Sequence, residues 1–519
     1  MSATPRTSLA RPTSGATRTF SFAHVAGLVV ALLTLIPLGY VVASAVATGP
    51  VEAYELLVRP RIGELLRNTI GLTVATMAST AALGVTLGWV VERTDVRGAR
   101  WLHALLVAPL AVPAFVNSYA WISLNPSVVG FWGSWLVITL SYYPLVYLPV
   151  VATLRGLDPA LEETAWALGH SRLRSFATVV LPQLRPALLG GVLLVGLHLL
   201  AEFGALQLLR FPTFTTAIYD QYGSTYNGSA APMLASVLVL LCLLLLVGEL
   251  RLRGQRRFAR LGGGVARRSE PVRLGPLRWP ATLATVVLVA LAVGVPAYSL
   301  LHWLRVGSST EFPLDEIGAA VASTVALAAA GAVAATLCAL PVAWLAVRVR
   351  GRWATLVERS SYVANALPGI VVGLALVTVS LRVVPPLYQT AGLLVLAYVI
   401  LFLPRATVSV RAGLEQAPVL LDDVAASLGH SRLAVLRRVT LPLIAPSLGA
   451  GAALVFLAVS TELTATLMLS PIGTSTLATE FWSASSDMRY GAAAPYALLL
   501  VLISIPATLL LIRERRHES

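Results

Sequence analysis

The sequence predicts an all-α membrane protein of about twelve transmembrane helices, arranged as two parallel six-helix repeats. Three observations carry this reading. Of 519 residues, 57% are hydrophobic and 12% are charged, whereas a soluble domain carries about 25% charged residues. The apolar residues fall in runs of about 20, the length that crosses a bilayer core as a helix. One segment, residues 161–182, returns at 421–442 with 11 of 22 positions identical at a constant offset of 260.

The runs lie, in order, at 22–46, 65–91, 101–123, 132–154, 187–208 and 230–250. They continue at 281–304, 317–347, 357–381, 391–410, 447–469 and 492–512. Prolines and polar residues interrupt the 132 and 391 runs, which lipid tolerates where neighbouring helices re-satisfy the backbone. With the N-terminus inside, alternation leaves Arg59, Arg61, Arg67, Arg210, Arg305, Arg382 and Arg489 outside, seven of 38 arginines. The excess of arginine on the other side places both termini in the cytoplasm. Residues 1–20, rich in Ser, Thr, Ala and Arg, read as a disordered cytoplasmic tail. The run that follows is longer than the apolar region of a signal peptide, so it reads as a span.

All 38 basic side chains are Arg; there is no Lys. A Walker A loop places a Lys on the β/γ-phosphates, so this chain cannot hydrolyse ATP through one. A Schiff-base lysine is equally excluded. Cys242 and Cys338 sit in apolar runs and show neither metal-ligand spacing nor a disulfide framework. The seven His make no cluster in sequence that would mark a membrane enzyme. The net charge of +14 calls for no nucleic-acid partner, because topology alone places most arginine on one side, against lipid headgroups.

The repeat divides the chain. Asn68 pairs with Ser323, Pro113 with Pro368, and Tyr147-Leu148-Pro149 with Phe402-Leu403-Pro404, all at an offset of 255. Glu202 pairs with Glu462, and Pro232 with Pro495. The expected organisation is a tail at 1–20, a first half at 21–255, a cytoplasmic Arg/Gly linker at 256–279 and a second half at 280–519. Six spans per half give both halves the same orientation, with a pseudo-two-fold axis along the membrane normal and a path on that axis.

Each repeated segment falls between the fourth and fifth spans of its half. Asp158-Pro159 opens a short helix with Leu161, Ala165 and Leu168 on one stripe. Gly169 suits a left-handed stop, Ser171 caps a second helix, and Leu181-Pro182 is expected to end it. Leu421, Ala425, Leu428, Gly429, Ser431 and Leu441-Pro442 repeat the pattern.

These segments resemble the EAA loop of ABC importer permeases: Glu-Ala-Ala, three residues, Gly, nine residues, Ile, one residue, Leu-Pro. The first copy has Glu163-Thr164-Ala165, Gly169, Val179, Leu181 and Pro182; the second has Asp423-Val424-Ala425, Gly429, Val439, Leu441 and Pro442. Both replace the middle Ala, and the second replaces Glu by Asp. The resemblance implies a type I importer-like fold in a bacterial inner membrane and a coupling role for Glu163, Ala165, Gly169, Pro182, Asp423, Ala425, Gly429 and Pro442. It also implies two copies of a separate ATP-binding cassette ATPase, which carry the ATP and Mg²⁺, and a periplasmic or lipid-anchored binding protein. The chain itself is then a transport subunit, not an enzyme, and holds no cofactor.

Acids inside spans are few, and each is a functional hypothesis. Glu202 and Glu462 each lie 20 residues past a Leu-Pro, about 22 Å above the inner end of their helices. His198 is four residues before Glu202 on the same face. Two readings stand: carboxylates lining the path for a hard cation, or structural acids bonded to a neighbouring helix. The stretches around them, Leu200–Ala205 with Phe211–Gln221 and Thr461–Thr466 with Gly473–Thr479, resemble fused ferric-iron permeases. Thiamine, polyamine, sulfate and phosphonate importers share that architecture. A secondary transporter would give no reason for duplicated elbows.

Overall fold

A computed structural model describes residues 22–224, 230–252, 271–306, 313–349, 351–364 and 366–513. The expected tail at 1–20 and residues 256–270 of the expected linker lie outside them. The first half contains α1 (Phe22–Thr48), α2 (Pro60–Arg93), α3 (Ala99–Ala111), α4 (Ala114–Leu124) and α5 (Gly130–Gly156). It continues with α6 (Pro159–Ala167), α7 (Phe176–Ala201), α8 (Gly204–Leu208), α9 (Phe214–Ser224) and α10 (Ala230–Leu252). The second half repeats the order as α11 (Gly275–Val306), α12 (Leu314–Val349), α13 (Arg352–Ala364), α14 (Gly369–Val383) and α15 (Ala391–Gln416). Then come α16 (Val419–Ser427), α17 (Leu433–Ser460), α18 (Thr464–Leu469), α19 (Leu477–Ser486) and α20 (Tyr490–Arg513). Each element has its counterpart ten labels on.

Among the described residues, nine helices are long and apolar enough to cross a membrane. The pair α3–α4 makes a tenth, bent by 93°, and α14 and the first part of α20 are shorter apolar helices. All twelve expected runs therefore fall on helices, but not all on straight ones. The 101–123 run breaks at Pro113. Proline forces the residue before it out of the helical region, and Val112 is extended (φ −103°, ψ 111°). Pro113 and Pro368 then open α4 and α14 with nearly the same backbone (ψ 143° and 145°).

The 187–208 and 447–469 runs overshoot: α7 stops at Ala201 and α17 at Ser460. At the other end, Pro182 and Pro442 do not end a helix. A helical turn at Arg172–Ser175 runs into a π-turn at Phe176–Val180 and on through the proline. Leu436–Thr440 does the same before Pro442. The wider turn, in which Leu181 N–H bonds the Phe176 carbonyl, accommodates a residue with no N–H to give.

Within each half the second, fourth and fifth spans pack together: α2, α5 and α7, and α12, α15 and α17. Lipid is as apolar as leucine, so close packing rather than hydrophobicity holds such helices. Small residues permit it. A Cβ on Gly191 would sit 2.8 Å from Val146 Cα and 2.9 Å from the Leu145 carbonyl. Gly413 meets Ser447 at 2.7 Å in the same sense.

The first span of each half crosses to the other. α1 packs on α12, α13 and α14, and α11 packs on α3 and α4. Aromatic rings close the seam between halves: Phe115 and Tyr119 on Phe481, and Phe203 on Trp482 with centroids 5.2 Å apart. Tyr119 Oη donates to the Tyr490 carbonyl at 2.6 Å. The end of the expected linker is also fastened. Val272 bridges to Thr94, Leu274 N–H donates to Asp95 Oδ1 at 2.9 Å, and Arg278 lies 3.9 Å from Asp95.

Gly191→Val is expected to cost about 1–3 kcal/mol, because backbone rather than a flexible side chain must yield. Thermal unfolding of the detergent-purified protein reads this. Gly39→Ala, whose Cβ meets nothing within 4 Å, is the matched control and should not lower Tm. A Gly191→Val protein as stable as wild type would contradict the close α5–α7 approach.

Candidate functional site

The two elbows are the same object built twice. Asp158 caps α6 through a bond from Ala160 N–H (3.0 Å). At the other end, the His170 N–H returns to the Ala165 carbonyl (3.0 Å) and the Gly169 N–H to Trp166 (2.9 Å). This double return requires a left-handed residue, and Gly169 has φ +85°. In α16, His430 returns to Ala425 (3.2 Å), Gly429 to Ala426 (3.0 Å), and Gly429 has φ +84°. Ser171 and Ser431 accept the N–H three residues on, each at 3.3 Å. Leu-Gly-His-Ser is therefore the sequence of a helix stop and the cap that follows it.

Each elbow has a pinned face and an open one. Ala165 and Ala425 are buried, whereas the motif acids Glu163 and Asp423 are exposed. Beside them, Leu168 and Leu428 are 75% and 74% exposed, large apolar side chains at the tip of each bend. Pro182 is half-buried and Pro442 exposed, both inside their long helices.

The pinned face uses acids that the sequence reading passed over. Arg93, at the end of α2, places Nη1 3.1 Å from Glu162 Oε1 and donates from Nη2 to the Leu154 carbonyl at 3.1 Å. Nη1 and Oε1 form a charge contact rather than an aligned hydrogen bond. Burial holds the Glu162 carboxyl above the usual carboxylate range, and the Arg93 guanidinium offsets only part of that rise. In the second half, Arg348 Nη2 lies 3.6 Å from Asp422 Oδ2 and donates to the Ala417 carbonyl at 3.0 Å. Thr440 Oγ1 adds a bond to Asp422 at 2.9 Å. The signal was present: Arg93 and Arg348 stand 255 apart, as do the paired prolines, and Glu162 and Asp422 stand 260 apart, as do the elbows.

Glu202 and Glu462 sit at the breaks that end α7 and α17. Glu202 Oε1 accepts from Ala205 N–H (3.0 Å), capping α8, and Oε2 accepts from Tyr142 Oη (2.5 Å). Glu462 accepts from Ala465 N–H (2.8 Å), Thr466 N–H (2.9 Å) and Thr466 Oγ1 (2.6 Å), capping α18. His198 stays on α7, its Nδ1 2.9 Å from the Leu194 carbonyl and its ring edge-on to Tyr142 at 5.8 Å. The breaks of the two halves meet. A Cβ on Gly204 would lie 2.8 Å from Leu463 Cδ2, and Phe203 and Leu463 share one buried cluster. Just beyond, Phe214 N–H donates to Thr69 Oγ1 (3.3 Å) and Leu477 N–H to Thr324 Oγ1 (2.9 Å). Among the described residues, no three His, Cys, Asp or Glu converge as a metal-binding group.

Comparison with known proteins matches this duplicated architecture. The profile of the family described as binding-protein-dependent transport system inner membrane component matches twice, over residues 83–258 and 331–513. An Fe(3+)-transport system permease protein of Haemophilus influenzae (FbpB 2) is 39% identical over 490 residues, 93% of this chain and 96% of that protein. A ferric transport system permease protein of Actinobacillus pleuropneumoniae is 24% identical over 76% of this chain and 60% of its own length. The sulfate transport system permease protein CysT of Escherichia coli is 31% identical over 45% of this chain and 91% of its own length, one half's worth. The chain, a multi-pass membrane protein with its motifs in duplicate, belongs to the family of binding-protein-dependent transport system inner membrane components.

Proposed function

We propose that this chain is a fused two-half permease of an ABC importer for ferric iron. The observation that carries the reading is the pair of matched elbows, each offering an exposed acid and an exposed leucine beside a glycine-fixed bend. Both elbows face the cytoplasm, where two copies of an ATPase subunit dock, bring ATP and Mg²⁺, and close on each other. Glu163, Ala165, Gly169 and Pro182 serve one subunit, and Asp423, Ala425, Gly429 and Pro442 the other. Twelve spans, with both termini inside, enclose a path between the halves at 21–255 and 280–519. A binding protein delivers cargo from outside. Movement of the elbows rocks the spans fused to them, exposing the path to each side in turn.

Iron is supported by the extent of the likeness. The iron permease of Haemophilus influenzae matches 93% of this chain, both halves included, and the sulfate permease less than half of it. Chemistry agrees. Glu202 and Glu462 stand where the halves meet, and hard carboxylate oxygens suit a hard cation and repel sulfate. His198, through Tyr142, joins the first of them. ATP-driven uptake of Fe(III) by reconstituted vesicles, in the presence of the binding protein, tests the assignment. Accumulation of sulfate instead would overturn it.

Gly169→Val with Gly429→Val is expected to abolish coupled uptake while the protein still inserts. A β-branched residue at positive φ costs about 1–3 kcal/mol per site, and no neighbour lies within 4 Å to clash, so the damage is confined to the bend. Uptake at the wild-type rate by the double variant would remove the elbows from coupling.

Glu202→Gln with Glu462→Gln separates charge from capping. Glutamine keeps an oxygen for the N–H groups of Ala205 and Ala465, and the cap it gives up is the Thr466 N–H bond to Glu462 Oε2. If the charge guides Fe(III), uptake falls about tenfold, the effect of about 1.4 kcal/mol on the rate. Unchanged uptake would leave the glutamates as caps alone.

A further inference from the structure

We propose that α2 and α12 are transmission rods, each latched at one end to its elbow and at the other to the start of the outer helix that precedes the sixth span, α9 or α19. The inference rests on the transporter reading above. At the elbow end the latch is Arg93 on Glu162 and Arg348 on Asp422. The arginine side chains are 7% and 10% exposed and the acids 14% and 18%, so neither pair is a solvated surface contact. Breaking a buried pair leaves an uncompensated charge, which makes the latch hard to slip. At the far end the latch is Thr69 on the N-terminus of α9 and Thr324 on the N-terminus of α19. Asn68 Nδ2 reinforces the first by donating to the Pro212 carbonyl at 3.1 Å.

The two latches of each rod are the same number of residues apart, 69 to 93 and 324 to 348. At 1.5 Å per residue that is about 36 Å of helix, enough to cross the bilayer. α2 runs 34 residues without a proline inside it, and α12 runs 36, continuing through Pro341 into a π-turn at Leu345–Val349. The fifth spans, which also leave the elbows, are interrupted at Glu202 and Glu462. Each second span is therefore the helix that runs from elbow to far side with a polar latch at both ends. Arg93, Arg348, Thr69 and Thr324 act as positioning residues: they touch no cargo and no nucleotide.

The experiment uses the full chain co-purified with its ATPase and reconstituted in vesicles, with binding protein and Fe(III) as the probe. Arg93→Met with Arg348→Met releases the elbow latches; Thr69→Val with Thr324→Val releases the far latches at nearly constant volume. Both pairs are expected to assemble and hydrolyse ATP, yet to move about tenfold less Fe(III) per ATP. Thr69→Ser with Thr324→Ser keeps the hydroxyls and should keep the coupling ratio, which a packing role alone would not explain. A second readout is independent of cargo. In a chain with Cys242 and Cys338 replaced by Ala, nitroxides at Tyr222→Cys and Met488→Cys report the outer hairpins. Their ATP-driven change in separation should be present with both latches and absent without either. A coupling ratio or label movement like wild type in the Thr→Val pair overturns the rods, even if the arginine pair fails to fold. A wild-type complex that moves no cargo overturns the transport reading and the rods with it.

Discussion

A helix broken inside a bilayer leaves N–H and C=O groups that lipid cannot satisfy, and where this chain places its breaks decides most of what else it can do. There are two kinds. One, at Pro113 and Pro368, exists because proline has no N–H and evicts its neighbour from the helix. The other, at Glu202 and Glu462, is held open by carboxylates that accept the N–H groups of the restarted helix. The two kinds are stacked: α8 lies on α4, and α18 on α14. A Cβ on Gly369, the first residue after Pro368, would sit 3.3 Å from Glu462 Oε1. The breaks of one half are thus packed against each other, and the breaks of both halves against the seam. The polar groups needed to stabilise broken helices are gathered where the two halves meet.

The sequence was most legible where physics acts locally. Composition and run length set the class, and duplication set the two halves. Gly169 and Ser171, with their counterparts Gly429 and Ser431, declared a helix stop and restart through residue types alone, and the φ values near +85° follow from glycine's lack of a Cβ. Legibility failed where a local rule met a tertiary remedy. Pro182 looked like a terminus, but the π-turn before it accommodates the missing donor and the helix continues. The run at 187–208 looked like a single span because hydropathy counts side chains and does not register a carboxylate folded back onto its own backbone. Glu162 was passed over for Glu163 because the family motif names the exposed acid. The acid that holds the elbow is its neighbour, turned inward by about 100° of helix.

The crossing of the first spans was not legible at all. Nothing in 22–46 or 281–304 says that each will lie on the other half, since an apolar helix in lipid carries no address. The consequence is mechanical. With α1 against α12–α14 and α11 against α3 and α4, each half lays one helix on the other. Separating the halves therefore means stripping each first span from the other half's helices. Fusion into one chain adds a further tie on one side: the strand around Val272 bonds the Arg93 carbonyl at 2.8 Å, next to the side chain that grips Glu162.

Comparing the halves separates what the architecture demands from what it tolerates. Glycine at the bend, threonine at the far latch, arginine at the elbow latch and proline at the first break are the same in both. The partners of the break glutamates are not. Glu202 takes its second bond from Tyr142 and Glu462 from the Thr466 hydroxyl, donors of different size reached from different helices. His198 faces no histidine across the axis; its counterpart is Ala458. Where the backbone needs one particular residue, the duplicate keeps it. Where the need is only that a buried carboxylate oxygen be satisfied, any donor in reach suffices. The identical positions lie on the route from elbow to outer hairpin, and the divergent ones lie around the carboxylates. The two halves are therefore alike where each grips its elbow and its outer helix, and unlike around the two carboxylates, which Tyr142 satisfies on one side and the Thr466 hydroxyl on the other.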